Sequence, residues 1–219
     1  DVLSNGFQVT DSNPIVGLEG RLELLRNLGK ALKNENYFGG VAKGRVGALV
    51  DYLIDQFGAQ EISAADVLQT VLSAFGSIWP GRIELHGVNL GDVWKHSFAK
   101  GEGSTSGLVP FHILSQWLTY SLLEPLEWCG IKIKGVENLT GLAEYRNGGL
   151  FIDMGVIEPV KADSLKQEWL PGDEFIVEWR ALTVALLDVI GDAVRAELGM
   201  TAAQLPLAKI LQGGTWAAG

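Results

Sequence analysis

The segment from about Asp173 to Leu198 constrains this chain more than any other. It opens on acidic residues and closes on Gly199, the pattern of a long α-helix with favourable charge at its start and a glycine cap at its end. Its middle, Ala181 to Ile190, is apolar on nearly every face, so the helix is expected to be central and buried.

Other segments follow the same period. Leu18, Leu22, Leu25, Leu28 and Leu32 recur at helical spacing after the turn Asp11-Ser-Asn-Pro14, with charged residues filling much of the other face. Beyond the Gly39-Gly40 break, Val46, Leu49, Val50, Leu53, Ile54 and Phe57 mark a second helix. Ser63 with Asp66 forms a capping-box-like start for a third, which runs through Val67, Val71 and Phe75. Pro110 stands where a further helix could begin, leading through an aromatic stretch to Cys129, and Pro125 should kink or end it. Thr201 with Gln204 predicts a capping box for a last short helix. Between these, Arg82 to Trp94 alternates apolar and polar residues, as a short β-hairpin or paired extended segments would. Lys100 to Gly107 reads as a mobile polar loop. The fold class is therefore mainly α, with minor β structure, in one domain over 1–219.

Composition narrows the function classes. A formal net charge of −9, with Lys and Arg scattered rather than striped, argues against a nucleic-acid partner. No apolar run is long enough to span a bilayer and no signal peptide is recognisable, so no membrane partner and a cytoplasmic setting are expected. The one cysteine, Cys129, reads as core filler rather than nucleophile. His86, His96 and His112 lack metal-ligand spacing, so no metal is expected. Phosphate-loop, dinucleotide, esterase and zinc-protease motifs are absent, and no cofactor is implied. Nothing in the pattern indicates an oligomeric state.

The sequence points to chemistry in the glycine-rich stretch Leu139 to Ile157, which sets Glu144, Arg146 and Asp153 among glycines and large apolar side chains. A carboxylate there suits a general acid or a water-activating base. The plain alternative is a surface turn at Glu144 and Arg146, with Asp153 capping backbone. A second place is Glu178 and Arg180 at the opening of the long helix, since charges entering an apolar core must be paired or bound. There the alternative is an internal ion pair that orients the helix. Seven tryptophans suggest that one or two floor a pocket while the others fill the core.

Several stretches are recognisable as family motifs. They include Phe7 to Arg21, Ile78-Trp-Pro-Gly-Arg82, Leu90-Gly-Asp-Val-Trp-Lys-His96, Val109 to Leu118, Leu139 to Gly149, Val177 to Leu187 and Gly213 to Gly219. Together they resemble the domain-of-unknown-function family that contains the fungal uracil-catabolism proteins. The resemblance implies a place in a route where uracil becomes a ribosyl phosphate, is opened, and releases urea. It also implies that this sequence is the middle and C-terminal part of a longer chain, inactive if the missing portion lines the site.

More distantly, Glu144-Tyr145-Arg146 followed by Glu178-Trp179-Arg180-Ala181 resembles the paired signatures of queuosine-salvage nucleosidases. That likeness implies a DNA-glycosylase-like helical scaffold and places the catalytic carboxylate on Glu144, where those enzymes carry Asp. Here Arg146 is followed by Asn147-Gly148-Gly149 instead of Val-Pro-Gln, so the leaving-group pocket must differ.

These motifs together imply hydrolysis of the N-glycosidic bond of a ribosyl-urea phosphate, a small phosphorylated substrate. Glu144 and Asp153 are the catalytic carboxylates, and Tyr145, Arg146, Glu178, Arg180, Gln116 and Trp117 the substrate contacts. Arg146 or Arg180 would hold the phosphate. The rivals are an amidohydrolase opening an acyl-urea and a non-catalytic subunit of the same pathway. The five charged residues of the two stretches should converge on one cleft, and Glu178, as a buried helix-opening acid, should matter for stability.

Overall fold

The computed structural model describes residues 2–40 and 43–212. Along the chain run α1 (Val2–Gly6), α2 (Leu18–Ala31), α3 (Glu35–Phe38), α4 (Ala48–Phe57), β1 (Glu61–Ser63) and α5 (Ala64–Phe75). Then come β2 (Glu84–Leu85), β3 (Val88–Asn89), β4 (Val93–Lys95), β5 (Leu108–Pro110), α6 (Ile113–Trp128) and β6 (Lys132–Lys134). The last described elements are α7 (Tyr145–Asp153), α8 (Glu174–Leu198) and α9 (Leu207–Leu211). The chain is mainly helical, as its apolar spacing predicts, and the strands form three two-stranded pairs among the described residues.

Local chemistry accounts for several boundaries. Ser63 Oγ accepts the Asp66 amide at 3.0 Å and donates to the Asp66 carboxylate at 2.6 Å, closing the start of α5. β2 and β3 pair antiparallel across His86 and Gly87, whose φ values of 51° and 78° suit the two-residue turn of a tight hairpin. The pairing of β1 with β6 is parallel and joins residues 71 apart, beyond any local signal. Gly199, at φ 63°, caps α8 as its position predicts.

Most of the buried apolar side chains form one cluster, in which Phe38, Leu53, Ile62, Val67 and Val71 are almost completely enclosed by α2, α3, α4, α5, α6, β1 and β6. A smaller cluster, Phe151, Leu187, Leu207 and Leu211, joins α7, α8 and α9.

Some expectations are corrected. Pro110 ends strand β5, and α6 begins three residues later at Ile113. Pro125 lies inside α6 and the helix continues to Trp128, because only its last turn lies beyond the proline. Cys129 is exposed at the end of α6. The Thr201–Gln204 capping bonds form, but they close a turn, and α9 starts only after Pro206. The motif Gly213 to Gly219, with Trp216, lies outside the described residues.

The largest correction concerns α8. Its buried residues are Val177, Thr183, Leu187 and Gly191, a single stripe facing α7 and α9. Leu182 and Val189 remain 41% and 62% exposed, Leu182 bordering an open cleft. The glycine-rich stretch also departs from a turn, forming α7. Its Gly148 lies so close to α8 that an added Cβ would sit 2.7 Å from both Thr183 Oγ1 and Trp179 Nε1.

This close approach predicts opposite outcomes at adjacent glycines. Gly148→Ala should destabilise by about 1–3 kcal/mol through overpacking. Gly149→Ala meets no neighbour within 4 Å and should stabilise by about 0.5–1 kcal/mol through helix propensity. Urea unfolding midpoints at unchanged slope measure both.

Candidate functional site

Asp92 stands between β3 and β4 and gathers partners from three separate elements. Arg180 of α8 donates to it from Nη1 at 3.1 Å and from Nη2 at 3.1 and 2.9 Å. The Trp94 indole donates at 2.6 Å, and the Ile113 amide, the first of α6, at 3.1 Å. The Asp92 backbone carbonyl accepts the amides of Phe111 and His112 at 3.0 and 3.3 Å. Burial alone would raise this carboxyl, but the bonds from Arg180, Trp94 and Ile113 outweigh it and hold its pKa below the ordinary 3.8.

Around this pair lies a cleft of about 330 Å³. Trp79 and Trp94 supply flat walls, His112 and Ser115 enter from the start of α6, and Arg82 reaches over from the segment before β2. The Arg82 guanidinium sits 4.8 Å from the Trp94 ring centroid, and that of Arg180 sits 4.0 Å from Phe111. His112 holds φ 47°, an uncommon conformation for a side-chain-bearing residue, and burial depresses its imidazole pKa despite the nearby Asp92 charge.

The residues nominated from the sequence fall into four places. Glu144 precedes α7, half-buried, and its side chain forms no capping hydrogen bond. Tyr145 and Arg146 follow on the surface, joined to each other by a 3.3 Å bond from Arg146 Nε to the Tyr145 hydroxyl. Asp153 is exposed at the far end of α7, roughly 13 Å along the axis from Glu144 at 1.5 Å per residue. That is beyond the separation at which paired carboxylates work on one glycosidic bond.

Glu178 and Arg180, two residues apart, face different clefts. Glu178 lines one of about 370 Å³ beside Trp169, Phe175 and Trp179, and its carboxylate lies 3.6 Å from His96 Nε2. His96 Nδ1 accepts the Phe98 amide, so in the neutral ring the proton sits on Nε2, towards Glu178. Glu178 is 55% exposed, so it is not a buried helix-opening acid, and its pairing with His96 contributes little to stability, about 0–1 kcal/mol. The five charged residues do not converge on one cleft. Arg180 is held bidentate by Asp92, which leaves its charge neutralised within the fold.

Gln116 is buried and donates to Thr140 Oγ1 at 2.6 Å, tying α6 to the loop that leads to Glu144. Trp117 is half-exposed and borders a separate apolar groove of about 560 Å³ between α4 and α6. Sequence reasoning missed Asp92, Arg82, His112 and Ser115. The signal for Asp92 was present, a lone acid between Leu90 and Val93 in an apolar run, answering the same need for a partner that marks Arg180.

Among the described residues no cluster of His, Cys, Asp or Glu could hold a metal ion, and no helix is long and apolar enough to cross a membrane. The fold and site define a mainly helical protein with two largely apolar clefts, each bordered by a few charged side chains, flanking the first turns of its longest helix. Over residues 1–219 the chain belongs to the family described as Protein of unknown function (DUF1688). It is 42% identical to "Uracil catabolism protein 4" of Lachancea kluyveri over the whole of this chain and 55% of that protein. It is 41% identical to "Protein urg3" of Schizosaccharomyces pombe over 99% of this chain and 51% of that one. The chain thus spans about half the length of these relatives. No solved structure matches it.

The Asp92–Arg180 pair sets a stability and pH prediction. Arg180→Met strands a mostly buried carboxylate and should cost about 3 kcal/mol at neutral pH, whereas the double change Asp92→Leu, Arg180→Met should recover part of that loss. Because the folded Asp92 carboxyl lies below its ordinary value, its contribution is complete above the ordinary carboxylate range. It is lost as pH falls through 3.8 towards the folded value. Urea titrations from neutral pH into acid should therefore show a steeper acid loss for the parent protein than for the double variant.

Proposed function

We propose that this chain carries the core of a hydrolase of uracil catabolism that cleaves the N-glycosidic bond of a ribosyl-urea phosphate. The observation that carries the pathway is identity of 42% over the whole chain to a protein named for uracil catabolism. The bond assignment rests on the paired signatures Glu144-Tyr145-Arg146 and Glu178-Trp179-Arg180 and on the placement of Glu144.

Glu144 is suited to the central role. Its side chain has no capping bond, and its loop is anchored to α6 by Gln116 and by Tyr120, whose hydroxyl donates to the Thr140 carbonyl at 2.9 Å. The start of α6 also lines the Asp92 cleft, so the Glu144 loop and that cleft are fixed to the same helix. Cleavage passes through an oxocarbenium-like state at the anomeric carbon. Glu144 stabilises that positive charge and takes a proton from the attacking water, whose oxygen bonds to the carbon as the carbon–nitrogen bond breaks. The departing electron pair goes to the urea nitrogen. Asp153, at the other end of α7, is too distant to act as acid for the same bond, so the nitrogen takes its proton from solvent.

Incubating the full-length protein with ribosyl-urea phosphate should release urea and ribose phosphate. Free carbamate or ammonia with the ribose–nitrogen bond intact would favour an amidohydrolase, and no turnover would favour a binding subunit. Glu144→Gln should lower the rate on the order of 10²–10⁴-fold with an unchanged melting temperature. Loss of urea release together with early melting would remove Glu144 from the chemistry.

A further inference from the structure

We propose that the cleft beside Asp92 is an anion site that takes the phosphate monoester of a small sugar phosphate, with Arg82 as its principal anchor. The inference rests on the phosphorylated-substrate reading above but is carried by the donors that this cleft presents.

Arg82 makes no ion pair among the described residues, and its guanidinium is held over the Trp94 ring. Trp94 is fixed in turn by its bond to Asp92. The arrangement gives Arg82 a rigid platform while leaving its own donors available. Opposite lies the start of α6, a helix of 16 residues. Asp92 accepts the first amide, Ile113, and the amides of Leu114 and Ser115 have no carbonyl one turn back within the helix.

Ser115 is an independent pointer to a ligand. It is only 2% exposed, it lines the cleft, and its hydroxyl has no partner among the described residues. Trp79 also lines the cleft, with its indole N–H buried and unaccepted. A buried indole N–H would ordinarily find an acceptor, because an unmade bond there is costly, and the Ser115 hydroxyl is left to the cleft.

The inventory is therefore one of donors. Arg82, Ser115 and the first turn of α6 all offer hydrogens, whereas both carboxylate oxygens of Asp92 are already occupied. Asp92 and Arg180 cancel, and burial keeps His112 neutral, so Arg82 leaves the cleft with one net positive charge in a chain of −9. Several donors converging beside one fixed guanidinium match the three oxygens of a phosphate monoester better than the two of a carboxylate. The indole walls suit the less polar faces of the attached sugar.

Titration calorimetry with ribose 5-phosphate, inorganic phosphate and ribose tests this directly, followed in parallel by the indole N–H resonances of Trp79 and Trp94. Ribose 5-phosphate should bind and shift Trp79, whereas ribose should not bind. Arg82→Gln should weaken ribose 5-phosphate by about tenfold or more with an unchanged melting temperature, and Arg82→Lys should recover part of the loss. Glu144→Gln should leave this binding as it is. Equal binding of ribose, unchanged affinity in Arg82→Gln, or no binding at millimolar ligand would overturn the site. If Arg82→Gln abolishes phosphate binding but ribosyl-urea phosphate is never hydrolysed, the anion site stands and the hydrolase reading fails. If hydrolysis proceeds with an unchanged KM in Arg82→Gln, the hydrolase reading stands and this site falls.

Discussion

The bond between Asp92 and Arg180 is the constraint on which the rest of the structure depends. One carboxylate, placed just before β4, collects a guanidinium from α8, an indole from β4 and the first amide of α6, and its own carbonyl takes two more amides from the approach to α6. Each partner comes from a different part of the chain, with Arg180 lying 88 residues away. Buried at side-chain exposures of 15% and 24%, the pair gains net stability only because its remaining lone pairs and protons are also satisfied, here by Trp94 and Ile113. The starts of α6 and α8 are consequently brought to the same point in space, and the cleft is the space left between them.

From that point the two faces of α8 diverge. Two residues of separation on a helix turn the side chains of Glu178 and Arg180 well apart, so one meets His96 and an aromatic cleft while the other meets Asp92. A second tie, from Ser97 to Glu174 through bonds of 2.7 and 3.1 Å, holds the first turn of α8 to the segment after β4. Further along, α7 comes near enough for Gly148 to touch Trp179 and Thr183, and Gly141 lies against Leu187. Small residues at these two points set how near the Glu144 loop can approach α8.

Periodic features were legible before the structure. The apolar spacings of α2, α4, α5 and α8, the Ser63 cap, the β2–β3 hairpin and the glycine that ends α8 follow from local rules that need no partner. What escaped depends on chain segments distant in sequence. The parallel pairing of Glu61–Ser63 with Lys132–Lys134 has no local signature, and of the two adjacent glycines that make α7 look like a turn, Gly148 lets it approach α8 while Gly149 meets no neighbour. Apolar character alone predicted a buried α8, yet burial also requires a covering element, and Leu182 and Val189 stay exposed. The candidate site was legible only in part. Arg180 was marked as a charge in need of a partner, but Asp92 stood in a segment read for its β alternation.

The fate of Arg180 also changes how the Glu-x-Arg signature should be understood. A guanidinium whose charge is paired with one carboxylate and whose face lies on Phe111 has lost most of its electrostatic attraction for a substrate phosphate. Freeing it would strand Asp92, and the lost bonds to Trp94 and the start of α6 would loosen the cleft itself. Glu178, half-exposed and near His96, is likewise engaged with the fold while bordering the second cleft. In this chain the signature therefore acts first as architecture, locking α8 to β4 and α6, and only through that lock does it shape the surface on which chemistry takes place. A residue such as Arg82, which among the described residues meets an aromatic face and no carboxylate, has the opposite character, because the fold gives it a position and leaves its charge without an ion pair there.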